Sequence, residues 1–410
     1  MGDAVADAGD TRRFLRWPRE PAKSGARIHG QGARLAEAFR NIFDAALVQA
    51  TARQFARRSR RFDAAAFEAL ALPGLDGLPM KERAMQIATA LEQTLPARFE
   101  DAATLIEATL APASTDEDLG AMRLGEAGLA GWILWPVGEF VVRRGLPQPE
   151  RALRVLHALT MRFSAEYAIR PFIATHSDLA FATLARWASD PNLHVRRLVS
   201  EGSRPRLPWG MQLKALVVDP SPTLPLLRAL QDDQSEYVRR SVANHLNDIA
   251  KDHPRLVADW LGEFLPGASA ERRALLKHAS RTLVKKGDAR VLGAWGLGGR
   301  LRGEATLSIR PARVALGSAV QLTLELHSAA RTAQPLAIDY AVHHVKADGS
   351  TSPKVFKGWQ LTLAPREQRT LTKSHSLKPI TIRTYHGGQH RVVVQINGRP
   401  VAEAAFMLRV

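Results

Sequence analysis

The chain contains no cysteine. That absence removes disulfides, thiolate metal sites, iron–sulfur clusters and cysteine nucleophiles together, and makes the cytoplasm the default compartment. No apolar run approaches the roughly 18 residues a transmembrane helix needs. The opening MGDAVADAGD carries acids and no apolar core, unlike a secretory signal. A nucleotide-binding Gly-rich loop is missing as well: Gly296, Gly298 and Gly299 follow a helical pattern rather than a strand and mark a junction. The 13 histidines show no H-E-x-x-H or similar spacing, so no metal ligands are assigned. His343 and His344 fall in a strand pattern that sends neighbours to opposite faces. No nucleophile elbow supports serine catalysis.

What is present is positive charge. Against 40 Asp+Glu stand 57 Lys+Arg, a net +17 over 410 residues. Such an excess implies attraction to a polyanion, and nucleic acid is the commonest one for a soluble protein. A membrane surface is the competing partner, but no helix sets a basic face against a Trp/Phe/Leu face. With 45% hydrophobic and 24% charged residues the chain is globular with real cores, and long enough for two or three domains. Monomer is the default oligomeric state.

Two copies of one helical unit organise the middle. DPNLHVRRLVSEGSRPRLPW (Asp190 to Trp209) is followed by DQSEYVRRSVANHLNDIAKDHP (Asp233 to Pro254). Val195-Arg196-Arg197 recurs as Val238-Arg239-Arg240, an offset inside the roughly 40–47 residue period of HEAT-type repeats. In the second copy Val238, Val242, Leu246 and Ile249 make the buried stripe of an amphipathic helix. Arg240, Asn244 and Asp248 file along another face; in the first copy Arg197 and Glu201 do the same. Upstream, MRFSAEYAIRPF supplies Arg162, Glu166 and Arg170 at helical spacing. Stacked repeats would line Glu166, Glu201 and Asp248 along one groove, interleaved with arginines. The plain alternative is helix-surface pairing, worth about 0.2–0.5 kcal/mol per pair.

Residues 1–35 mix Arg, Gly and Pro without periodicity and read as a flexible basic arm. From Ala36 to about 299 the pattern is helical, broken by Pro and Gly. Over 123–145 it predicts a buried helix, a break at Pro136 and a second short helix. Glu139 in that apolar setting is either a catalytic carboxylate or a partnered one. From 300 to 410 the period changes to two: Val320, Leu322, Leu324 and Leu326 alternate with polar residues, and turn signals such as Asn397-Gly398 separate seven or so short strands. The expected architecture is multidomain α + β, an all-α HEAT-like helical repeat solenoid followed by an all-β immunoglobulin-like sandwich.

Trp209, in the Pro-rich turn after the Glu201 helix, is either a plug between repeats or a platform for a nucleobase, where stacking is worth about 1–3 kcal/mol. Carboxylates in a phosphate-binding groove repel their ligand, so they are useful only where positive charge exists or develops. Hydrolysis of an N-glycosidic bond supplies it, because the sugar becomes oxocarbenium-like as the base departs.

EYAIRPF, SEGSRPRLPW, VRRSVANHLNDIAKDHP and ALLKHASRTLVKKGDARVLG resemble blocks of the HEAT-like DNA alkylation repair glycosylases, specifically the AlkC branch. The resemblance covers about residues 36–299, and a C-terminal Ig-like domain fits that branch. It implies double-stranded DNA as partner, and excision of cationic alkylated bases such as 3-methyladenine, 3-methylcytosine and 1-methyladenine without full base flipping, metal or cofactor. The family's carboxylates and aromatic fall on Glu166, Glu201, Asp248 and Trp209, with Asp248 nearest the deoxyribose. DNA-backbone contacts are expected from Arg162, Arg170, Arg197, Arg240, Lys285 and Lys286, and from Lys378, Arg383, Tyr385 and His390 of the Ig-like domain. A noncatalytic nucleic-acid-binding scaffold and a protein-interaction module explain the charge and repeats, but not three carboxylates in register beside a tryptophan.

Overall fold

The structure, a computed structural model, describes residues 42–117, 123–380 and 384–410. The arm expected over 1–35, and Arg383, lie outside the described residues. The chain forms two compact units, one ending at Asp248 and one beginning at Ile249.

The first unit is helical. Its elements are α1 (Ala45–Arg58), α2 (Ala64–Ala71), α3 (Met80–Thr94), α4 (Phe99–Thr109), α5 (Leu134–Gly145), α6 (Pro149–Thr160), α7 (Ile169–Thr175), α8 (Ser177–Trp187), α9 (Leu193–Gly202), α10 (Lys214–Val218) and α11 (Leu224–Leu230). Most of α12 (Glu236–Asp252) also belongs to it. The starts are written locally: Asp44, Asp63 and Asn192 each accept a hydrogen bond from a backbone N–H of the first turn. The α12 stripe is buried as its period requires, with Val238, Val242 and Leu246 fully inaccessible. α6 packs against α4, α5 and α9, and α9 in turn against α8 and α11.

Two prolines act differently from expectation. Over 123–145 the pattern predicted a helix before Pro136, but that segment holds only a 3-10 turn, Gly131–Ile133. Pro136 lies in the first turn of α5, where its missing N–H leaves no helical bond unmade. Pro171, which follows a stretch read as helical from Arg162 to Arg170, does not close a helix but lies in the first turn of α7. The stretch before it is not helical, so Arg162 and Glu166 do not form a file on one helix. α6 stops at Thr160, whose hydroxyl accepts from Ala165 N, and Ser164 Oγ accepts from Glu166 N. These local side-chain bonds compete with the helix and win.

The second unit holds α13 (Pro254–Phe264), α14 (Ala270–Ala279), α15 (Arg281–Lys286), α16 (Ala289–Ala294) and eight strands. The strands are β1 (Gly303–Arg310), β2 (Arg313–Ala315), β3 (Ala319–Ser328), β4 (Gln334–Val345), β5 (Thr351–Leu363), β6 (Gln368–Ser376), β7 (Gly388–Ile396) and β8 (Arg399–Arg409). A three-stranded sheet runs β1-β3-β6 and a five-stranded one β2-β8-β7-β4-β5. Inward residues of the two sheets, among them Leu322, Leu324, Ile338, Val342, Val392, Val394 and Phe406, form one core. The β7–β8 hairpin turns on Asn397 (φ 49°) and Gly398 (φ 73°), the paired positive φ of a type I′ turn. Gly398 is required twice over, because a Cβ there would stand 2.6 Å from Gly287 Cα. Asn397 Nδ2 donates to Gly299 O, tying this turn to the segment where helix gives way to strand. No helix among the described residues is long and apolar enough to cross a membrane.

Candidate active site

Each repeated unit carries a Val-Arg-Arg, Val195-Arg196-Arg197 in the first and Val238-Arg239-Arg240 in the second. The first arginine is structural in both copies. Arg196 Nη1 donates to Asp190 O and Pro191 O, and Arg239 Nη1 to Asp233 O and Gln234 O, each closing the turn that precedes its own helix. Arg196 also forks onto Asp233 at 2.6 and 3.1 Å, joining one repeat to the next. Arg197, one residue on, faces the carboxylates.

There the side chains form a ladder of alternating charge. Arg197 Nη1 donates to Glu166 Oε2 at 2.6 Å, and its Nη2 lies 3.6 Å from Glu201 Oε1. Arg204, from the loop after α9, then bridges two repeats: Nη1 donates to Glu201 Oε1 at 2.6 Å and Nε to Asp248 Oδ2 at 2.7 Å. Hydroxyls complete the shell, Ser164 on Glu166 at 2.7 Å and Ser241 on Glu201 at 2.6 Å. Glu166, Glu201 and Asp248 are thus brought together from three elements. They do not stand in an open trough, since Glu201 is 5% and Asp248 1% exposed. Trp209, on the same loop, is 69% exposed, so it is not a plug between repeats. Its φ of 63° is unusual for a bulky residue.

With this geometry in view, comparison with solved structures is decisive. Pseudomonas fluorescens alkylpurine DNA glycosylase AlkC, bound to DNA containing an abasic site analog, is 32% identical and superposes with a TM-score of 0.82, over 91% of this chain and 99% of its own. The chain belongs to the AlkC family. An uncharacterized protein YhaZ of Bacillus subtilis strain 168 is 37% identical over 322 residues, 78% of this chain and 85% of its own length. Residues 304–410 match the family described as the C-terminal Ig-like domain of uncharacterised protein YhaZ.

Several expected contacts of this AlkC-family chain need correction. Arg170 is fully buried and donates to three backbone carbonyls, which removes it from any phosphate. Arg162 is half-buried and spent on Ala111 O and Ala158 O. Arg197 is committed to Glu166 and lies under the ring of Tyr237, 5.0 Å from its centroid. Tyr385 and His390 are buried in the sandwich, where His390 packs against Phe406 and His344. Lys286 and Lys378 are exposed, and Arg240 and Lys285 half-buried. Glu139 is ion-paired with Arg143 at 3.1 Å. The sequence reading missed Arg204, and missed an aromatic group beside Glu166: Trp135 against Tyr167 at 5.3 Å and Trp132 against Phe163 at 4.9 Å.

Burial alone would raise the Glu201 carboxyl, but the guanidiniums of Arg204 and Arg197 and the Ser241 hydroxyl outweigh it and hold the group at about 2. Arg204 is driven above its ordinary value: burial opposes its charge, and Asp248 and Glu201 overcome that. Burial also lowers His245, whose Nδ1 donates to Ser200 O, to about 4, and lowers His194 to about 4. A lowered folded-state value means the unfolded chain binds the proton more readily, so each group stabilises the fold at high pH. For the two histidines that contribution is complete above 6.5 and is lost between 6.5 and 4; for Glu201 it is lost from 4.5 towards 2. Urea unfolding at stepped pH should therefore weaken well before carboxylates titrate, by on the order of 2–3 kcal/mol per histidine. His245→Gln should flatten that first stage; a stage of undiminished size would assign it to other groups.

Proposed function

We propose that the chain is a DNA glycosylase that hydrolyses the N-glycosidic bond of cationic alkylated bases in double-stranded DNA, with 3-methyladenine, 3-methylcytosine and 1-methyladenine as the substrate class. The observation that carries this reading is the Glu166–Arg197–Glu201–Arg204–Asp248 ladder beside an exposed Trp209. The DNA-bound AlkC of Pseudomonas fluorescens supports it.

In the reaction the C1′–N bond breaks and its electron pair leaves with the base, cancelling the positive charge that alkylation had placed there. The sugar left behind is oxocarbenium-like; water adds its oxygen to C1′ and releases a proton, leaving an abasic site. Asp248 faces the deoxyribose in this reading, with Glu201 and Glu166 behind it. Their burial strengthens the effect: fixed charges at low dielectric stabilise a nearby developing cation far more than they would in water. Catalysis aimed at the sugar does not need the base to be extruded into a pocket, so the lesion is handled without full flipping. Trp209 offers its ring to the lesion, and a cationic base gains cation–π attraction there. The helical region houses the chemistry and the Ig-like sandwich, through Lys378, helps hold the duplex. The enzyme works in the cytoplasm.

Chromatography of the bases freed from methylated DNA tests the activity directly. 3-Methyladenine should appear with protein alone and in the presence of chelator; an intact base spectrum would leave only a basic scaffold. Arg240, the repeat equivalent of Arg197, is assigned to phosphate. Arg240→Ala should weaken binding to all sequences alike and reduce the slope of log K against log salt by about one unit. A change confined to some sequences would contradict phosphate contact.

A further inference from the structure

Arg170 was expected on the DNA and is found inside the protein, where it does something more specific. Its guanidinium donates to Gly202 O at 2.9 Å, Arg204 O at 2.8 Å and Met211 O at 2.5 Å. Those acceptors span the loop between α9 and α10, from the last residue of α9 to two residues beyond Trp209. One side chain therefore pins both ends of the segment that carries Arg204 inward and Trp209 outward. Within the loop Gly210 N donates to Leu207 O and Leu213 N to Pro205 O, and Trp209 is held in a left-handed conformation that bulky residues rarely adopt.

A buried guanidinium is a costly fastener. Arg170 is 0% exposed, no carboxylate is within ion-pair distance of it among the described residues, and its Nη2 has no hydrogen-bond partner there. Burial, with the neighbouring charge of Arg204, lowers its affinity for the proton to about 10, still charged at neutral pH. Such a cation in the interior carries a desolvation cost, and no ion pair of its own among the described residues offsets it. Its geometry does what an apolar residue cannot: a planar fork reaches three carbonyls on two strands of a loop and sets their separation.

We infer that Arg170 is the positioning residue of the site, fixing the loop from Ser203 to Met211 so that Arg204 meets Glu201 and Asp248 while Trp209 is presented to DNA. The inference deepens the glycosylase reading and rests on it for its kinetic consequence, but the anchoring itself is measurable without any reaction. Arg170→Lys keeps the charge and loses the fork. In the folded variant, single-turnover base release should fall by about 10²-fold, the effect of displacing catalytic groups by roughly an ångström, while affinity for undamaged duplex DNA stays within about twofold. Trp209→Ala should absorb part of that loss, so that the double variant is less impaired than the product of the two singles. Effects that multiply would show that Arg170 does not act through the loop and would overturn the assignment. Fluorescence anisotropy of Trp209, taken as the difference from Trp209→Phe, should drop in Arg170→Lys; unchanged anisotropy also overturns it. Arg170→Met serves if the lysine variant does not fold, because it retains the volume and removes all three donors. If wild-type protein releases no base, the glycosylase reading fails, and the anisotropy alone decides whether Arg170 holds the loop.

Discussion

Asp248→Asn should reduce release of alkylated bases by about 10²–10³-fold, as the loss of one preorganised electrostatic group typically does, while the protein still binds methylated DNA. Asparagine keeps the shape of the side chain and an oxygen for Arg204 Nε, which now donates to Asp248 Oδ2 at 2.7 Å. What it removes is the charge. Because Asp248 is 1% exposed, no water or salt compensates for that removal, and in the proposed mechanism the developing cation at the sugar loses its nearest counter-charge. The effect belongs to the chemical step, so it should be read under single-turnover conditions with enzyme in excess. Glu139→Gln is the matching control. That glutamate drew attention in the sequence for its apolar surroundings, but it is one-third exposed and paired with Arg143, so its neutralisation should change release by less than about twofold, as surface substitutions do. Equal rates for wild type and Asp248→Asn would remove Asp248 from the mechanism and leave the ladder as a structural device.

The contrast between these two carboxylates shows which kinds of information a sequence carries. The α12 stripe and the alternation of β3 are periodic, and periodicity survives folding because it is what creates a buried face. The repeat of Val-Arg-Arg was legible for the same reason; it pointed to Glu201 and Asp248 on one open groove, and the structure instead brings the two, buried, onto the guanidinium of Arg204. Glu166 reached the ladder by another route than the one expected: its i, i+4 spacing from Arg162 implied a helix, while Thr160 and Ser164 form local bonds that interrupt one. Arg204 could not be read at all, since it sits in a loop and pairs across 44 positions. Its only trace was a cation three residues after Glu201. His390 is the opposite case. It was assigned to DNA from its setting in a basic hairpin, although it is in phase with Val392, Val394 and Ile396, and alternation alone sends it into the core.

Arg204→Met should destabilise the fold by about 3–5 kcal/mol, because it removes a guanidinium shared by two buried carboxylates, Glu201 and Asp248. Glu201 makes the reason explicit. Its carboxyl is held at about 2 against burial that pushes the other way, with Arg204 the largest of the groups holding it there. Without Arg204 burial pushes the Glu201 carboxyl back up, so the loss should be greatest near neutral pH and shrink as pH falls through the carboxylate range. Urea midpoints at pH 7 and pH 4 test this, and a cost that does not depend on pH would mean the arginine acts by packing rather than charge. Combining Arg204→Met with Glu201→Gln and Asp248→Asn should recover most of the lost stability, since a buried ionic cluster replaced as a whole is often neutral. That triple variant should nonetheless release no base. Equal stability together with loss of activity in that variant would mean that these three charges are kept for the reaction rather than for the fold.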